Sequence, residues 1–186
     1  TPMSRLQTLL LLFISTAALS ATPVQSPTFR FWSDDLQRGT FTSEQVYDSF
    51  GCTGQNRSPH LAWSGAPKDA ESFVITVYDP DAPTGSGFWH WVVANIPART
   101  TMIAGNASRT PRMPNGALET RTDFGAPGWG GPCPPQGDQP HRYVFTIHAL
   151  DVPKLDVTVD TTAALVGFMT NSHRIASASF TVRYGR

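Results

Sequence analysis

The sequence predicts a mainly β, turn-rich fold, and three observations lead there. Gly and Pro number 15 and 16 among 186 residues, a composition that favours turns and disfavours a helical bundle. Aromatic residues are abundant (5 Trp, 4 Tyr and 11 Phe), which suits strands packed over a core. Four runs of β-branched and aromatic residues recur between loops of Gly, Pro, Asp and Ser. With 40% hydrophobic and 15% charged residues the chain can bury a core and is not of disordered composition. Basic and acidic residues balance at 14 each, so no basic excess supports a nucleic-acid partner.

The first segment reads as an address. Met3-Ser4-Arg5 is a short basic start, the run from Leu6 to Leu19 is apolar, and Ala18 and Ser20 are small residues before a cleavage point. Residues 1–21 are therefore expected to be a signal peptide, and 22–186 a single domain, periplasmic or secreted. The apolar run is shorter than the roughly 20 residues that span a bilayer, and no other stretch approaches that length, so no integral membrane span is expected. Removal of the segment deletes one Arg and no acid, leaving a net charge of −1.

Residues 22–34 are expected to be a linker running into a first strand, with Phe29, Phe31 and Trp32 as apolar members. Residues 35–60 are polar and Gly-rich, ending before a short Leu61-Ala62-Trp63. Ser72–Tyr78, Trp89–Ile96, Tyr143–Leu150 and Ser179–Tyr184 follow as strands apolar enough for both faces to be covered. One short helix is expected between Asp160 and Ser172, capped by Asp160 or Thr161, with Leu165, Phe168 and Met169 on its core face.

Two loops carry the polar residues that strands of this kind do not need. In Tyr78-Asp79-Pro80-Asp81-Ala82-Pro83, an extended backbone would set Asp79 and Asp81 on the same side, and the prolines stiffen the segment. The turn through Thr84–Gly87 brings His90 back towards the acids. The second loop, Gly125 to Gly137, precedes His141-Arg142-Tyr143; its free amides at Gly130, Gly131 and Cys133 suit an anion. By spacing alone, such a cleft could bind an anion, hold a metal or perform acid–base chemistry.

These two motifs together resemble the phosphatidylethanolamine-binding protein family, in its bacterial Raf-kinase-inhibitor-like branch. The resemblance runs from about residue 29 to 184. It implies a β-sandwich around a large central sheet with one or two short helices, and a small pocket for phosphate-like groups, including phospholipid head groups. By position, Asp79, Asp81, Pro83, His90, His141 and Tyr143 line that pocket, with Gly131 and the Cys133 amide from the Gly-rich loop. Glycine stands at the Cys133 position in eukaryotic members. The family's members act mostly as binders, or as inhibitors of kinases and proteases, so a protein target of either kind is an expected partner. No enzymatic activity, cofactor or bound metal is expected; a metal-dependent hydrolase using the Asp/His cluster is the alternative. A homodimer would use apolar surface near Trp89 and Trp129.

Export also bears on the two cysteines. Cys52 and Cys133 form an even pair, each in a Gly-rich loop, and an oxidising compartment favours a disulfide between them. Such a link would tie the pocket wall to the Cys52 loop.

Overall fold

The computed structural model describes residues 28–186, so the signal-peptide expectation for 1–21 lies outside the described residues. Two antiparallel sheets share a core. The smaller consists of β1 (Arg30–Trp32), β2 (Leu61–Ser64) and β5 (Met102–Ile103), in the order β1-β2-β5. The larger holds β3 (Ser72–Asp79), β4 (Phe88–Pro97), β6 (Leu118–Glu119), β7 (His141–Leu150) and β8 (Arg174–Tyr184), in the order β6-β4-β3-β7-β8. The mainly β class and the large central sheet are as expected.

Alternation along the strands builds the core. Phe73, Ile75 and Val77 of β3, Trp91 and Val93 of β4, and Tyr143, Phe145 and Ile147 of β7 face the small sheet's Phe31, Leu61, Trp63 and Ile103. The opposite face of β3 and β4 (Val74, Val92 and Ala94) is covered by Leu155, Val157 and the one helix among the described residues, α1 (Ala163–His173). β3 and β4 are thus buried on both sides. β7 and β8 are not: Arg142 is exposed, Val144, Thr146 and His148 are half-buried, and β8 exposes Ser177, Ser179 and Thr181.

Three expectations need correction. β8 starts at Arg174 rather than Ser179. Its first half pairs with β7 from Leu150 inwards and packs Ala176 and Ala178 against the core, residues too small to announce a strand. In α1 the inward stripe is Ala163, Val166 and Thr170, spaced to share one face, and the N-cap is Thr162, whose Oγ1 accepts from Leu165 N. Leu165 and Phe168 are exposed and Met169 only packs from the edge, because this helix is apolar on both sides and Leu155 and Val157 complete the cover from a neighbouring loop. Trp129 is fully buried and offers no surface to a second copy. The polar stretch 35–60 places Leu36, Phe41, Val46 and Cys52 in the core.

β3 and β4 slip register twice. Near Phe73, the slip is accompanied by a positive φ of 56° at Asn95, whose buried side chain donates to the Leu155 carbonyl and accepts from Leu155 N at 2.7 Å. It fastens the 155–157 cover to the sheet. Asn95→Ala is expected to lower stability by about 2 kcal/mol, the cost of leaving buried backbone groups unpaired. The midpoint of urea unfolding measures it.

Candidate functional site

The second slip positions the site. Val77 pairs with Trp91 and Tyr78 with Trp89, leaving His90 as the extra residue of β4. A bulge of this kind re-aims a side chain, and here it turns the imidazole inwards. His90 is clasped by Gly130 from both sides: its Nδ1 donates to the Gly130 carbonyl at 2.7 Å, and its own carbonyl accepts from Gly130 N at 3.0 Å. Because a carbonyl only accepts, the proton sits on Nδ1 and Nε2 is left as an acceptor. Nε2 makes no hydrogen bond among the described residues. Burial pushes the His90 pKa below its ordinary value, and the Gly130 carbonyl and the Asp79 charge only partly oppose this. The ring is therefore neutral.

Asp79 ends β3 and is 2% exposed. One carboxylate oxygen accepts from the amides of Asp81 (2.8 Å) and Ala82 (3.1 Å), which turns the chain out of the strand; the other accepts from His141 Nδ1 at 2.7 Å. His141 opens β7, which runs antiparallel to β3, so the end of one strand meets the start of the other. Its Nε2 faces Asp138 at 3.3 Å. Burial alone would push the His141 pKa down, but hydrogen bonds and charge from Asp79, then Asp138, outweigh it and raise the pKa. Of the two histidines, His141 is the one more readily protonated.

The sequence-predicted residues do not all converge. A cavity of about 150 Å³ is lined by Asp79, Pro83, His90, Cys133, His141 and Tyr143. Asp81 stands outside it. The alternation that would align it with Asp79 holds only within a strand, and the chain turns at Pro80. Asp81 instead binds the Arg142 guanidinium through both oxygens (2.9 and 2.7 Å) and accepts from the Arg142 amide at 2.8 Å; these bonds hold its pKa down to about 2. Gly131 is also outside the lining. Its amide donates to Asn56 Oδ1 at 2.8 Å, and a Cβ there would lie 2.0 Å from the Gln45 carbonyl oxygen, so this glycine permits close packing rather than donating to a ligand. Cys133 differs: its amide has no acceptor among the described residues. Neither has the Tyr143 hydroxyl, and burial raises its pKa well above the ordinary value, so it remains a donor. The metal-hydrolase donor set is not assembled; among the described residues no group of three or more His, Cys, Asp or Glu is placed to hold a metal ion.

Cys52 and Cys133 are joined by a disulfide, with their Cα atoms 6.0 Å apart. The cavity also has a rim that spacing alone did not reveal: Phe50, Phe88, Phe124, Pro134 and Pro135. Asp138 was missed as well, although its position three residues before His141 was a usable signal. His60 and His173, with carboxylate neighbours Asp34 and Asp151, and His148, pushed down to about 4 by burial, do not line the cavity.

A polar floor shaped in this way, at the shared end of β3, β4 and β7, can be set against known proteins. The family model described as phosphatidylethanolamine-binding protein matches residues 34–185. The chain belongs to that family. Among similar proteins, the UPF0098 protein YbhB of Escherichia coli is 49% identical over 154 residues, covering 82% of this chain and 97% of YbhB. YbcL of the same organism is 47% identical over 163 residues, covering 86% and 89%. The crystal structure of E. coli YbcL, described as a new member of the mammalian PEBP family, superposes with a TM-score of 0.83 over 85% of this chain and 98% of that one. A PEBP homologue from Chlamydia trachomatis, CT736, is 28% identical with a TM-score of 0.68, covering 87% and 99%. Of the residues that the resemblance assigned to a pocket, Asp79, Pro83, His90, Cys133, His141 and Tyr143 line the cavity, and Asp81 and Gly131 do not.

Proposed function

We propose that this PEBP-family protein is an exported binder, not an enzyme, whose cavity takes a phosphate-like group such as a phosphate monoester or a phospholipid head group. One observation carries the reading. The Cys133 amide, the Tyr143 hydroxyl and the His90 Nε2 are all uncommitted among the described residues, and they belong to residues that line one cavity with His141, whose pKa is raised. The two donors suit an anion, and His141, when protonated, offsets part of the charge of its neighbours Asp79 and Asp138; a neutral imidazole acceptor suits an anion that keeps one proton. A singly protonated phosphoryl group has both properties. Export is supported by the disulfide, a bond that persists in oxidising compartments, and no described helix is long and apolar enough to cross a membrane.

The pH dependence has a definite sign. As pH rises, His141 loses its charge above its raised pKa, and a phosphate monoester loses its last proton near pH 6. Both changes weaken binding. His90, whose pKa burial lowers, takes up a proton less readily than an ordinary histidine. Calorimetric titration with inorganic phosphate is therefore expected to show tightest binding near pH 5–6, falling by about tenfold or more towards pH 8 as these interactions are lost. An affinity that stays flat or rises over this range contradicts the reading.

A further inference from the structure

Phe50 is out of place by every rule that governs its position. Ser49-Phe50-Gly51-Cys52 closes a tight turn, with Cys52 N donating to the Ser49 carbonyl at 3.0 Å and φ of 56° at Phe50 and 80° at Gly51. Two successive left-handed residues form a primed turn, whose first position favours Asn, Asp or Gly. A bulky side chain there is strained. Burial does not compensate, since Phe50 is 68% exposed. Strain of this kind, held in place by its surroundings, points to a role for the side chain.

The surroundings supply that role. Phe50 borders the cavity, and its ring stands 5.3 Å from Tyr47 and nearly parallel to Phe124 at 6.1 Å; Phe124 in turn meets Phe88 edge-on at 4.9 Å. The cavity thus passes from a buried polar floor (Asp79, His90, His141 and Tyr143) to an apolar mouth of rings and prolines. The turn is anchored to the floor. Cys133 lines the cavity while its side chain holds Cys52, and the Arg186 guanidinium donates to both the Gly51 and Pro134 carbonyls.

We propose that Phe50 is the specificity-determining residue of the site, a ring on which the substituent of a bound phosphate monoester stacks, and that the preferred class is an aryl phosphate. The proposal rests on the phosphate-binding reading above. A flat neutral ring passing the mouth would exchange water for the faces of Phe50 and Phe124. An ammonium substituent finds no counter-ion there: Asp79 is the one carboxylate among the described lining residues, and its oxygens are committed to His141 and two amides.

Calorimetry on the mature protein with inorganic phosphate, phenyl phosphate and phosphoethanolamine at pH 6 tests this. The wild type is expected to bind phenyl phosphate about tenfold more tightly than the other two, the scale of one good aromatic contact. Phe50→Asn suits the left-handed turn and should melt no lower than wild type. It should abolish the phenyl advantage and leave inorganic phosphate within about twofold. The Cys52→Ser/Cys133→Ser double variant, which keeps the ring but releases its turn, should lose most of the same advantage. A phenyl advantage absent in wild type, matched by phosphoethanolamine, or unchanged in Phe50→Asn overturns the proposal, and so does an equal loss of phosphate and phenyl phosphate in that variant. Should phenyl phosphate bind through Phe50 while inorganic phosphate does not bind at all, the stacking role stands and the phosphate-floor reading falls; binding of neither ligand to wild type removes both.

Discussion

Asp79→Ala is expected to abolish phosphate binding and to lower stability by about 4 kcal/mol, the range for breaking one side of a buried ion pair. The carboxylate does three things at once while almost wholly buried. It holds the Asp81 and Ala82 amides, which redirect the chain out of β3, and it holds His141 Nδ1 at 2.7 Å. Without it, only Asp138 is left to oppose the effect of burial on His141, so the His141 pKa falls and the ring is less readily protonated. The two freed amides also loosen the 80–87 loop, which supplies Pro83 to the cavity. Asp79→Asn separates the contributions: it keeps an acceptor for the amides but no charge for His141, so it should fold better than the alanine variant and still fail to bind. The stability difference has its own pH signature. A group whose pKa is raised by folding stabilises fully below its unfolded value, near 6.5 for His, and that stabilisation is lost as pH rises through the folded pKa. The gap between wild type and Asp79→Ala should therefore narrow from pH 6 towards pH 9 in denaturant titrations. A variant with wild-type stability and phosphate affinity would show that Asp79 is neither anchor nor orienter.

What the sequence shows in advance depends on how local the cause is. β3, β4 and β7 are legible because each is a long run rich in β-branched and aromatic residues, a signal contained within the segment itself. The first half of β8 is not, since Ala176 and Ala178 fill a core already crowded by Phe145 and Phe180, whose rings stack 4.7 Å apart. The same division runs through the site. Asp79, His90, His141 and Tyr143 stand out as polar groups at the ends of apolar strands. The outward turn of Asp81 follows from where β3 stops, and the partner that captures it, Arg142, lies 61 positions away. Gly130 and Gly131 look like donors in sequence, yet their amides serve His90 and Asn56; only the contacts of Phe124 and Gln45 with their missing Cβ atoms reveal why glycine is needed. Phe50 is unreadable for the same reason, since its importance arises from a loop brought to the cavity by a cysteine 81 positions beyond Cys52.

Reducing that disulfide is expected to destabilise the protein by about 4 kcal/mol in the chain-entropy account, because cross-linking residues so far apart removes much of the unfolded chain's freedom. For a domain of this size that corresponds to a fall in melting temperature of roughly 10 °C. The floor and the mouth should respond differently. Gly130 remains clasped to His90, and Gly131 to Asn56, by bonds that do not pass through sulfur, so inorganic phosphate should still bind below the new melting point. The Phe50 turn keeps the Cys52–Ser49 backbone bond, the Arg186 contact with the Gly51 carbonyl and the ring contacts with Tyr47 and Phe124, but loses its covalent tie. Its left-handed φ is then no longer imposed from outside, and the ring is free to leave the mouth. Melting scans with and without reductant, repeated on the Cys52→Ser/Cys133→Ser variant, separate the bond from side effects of the reagent. Melting that is unmoved by reductant and by both substitutions would mean that the Arg186 contacts and the core position of Cys52 suffice to hold this loop without the bond.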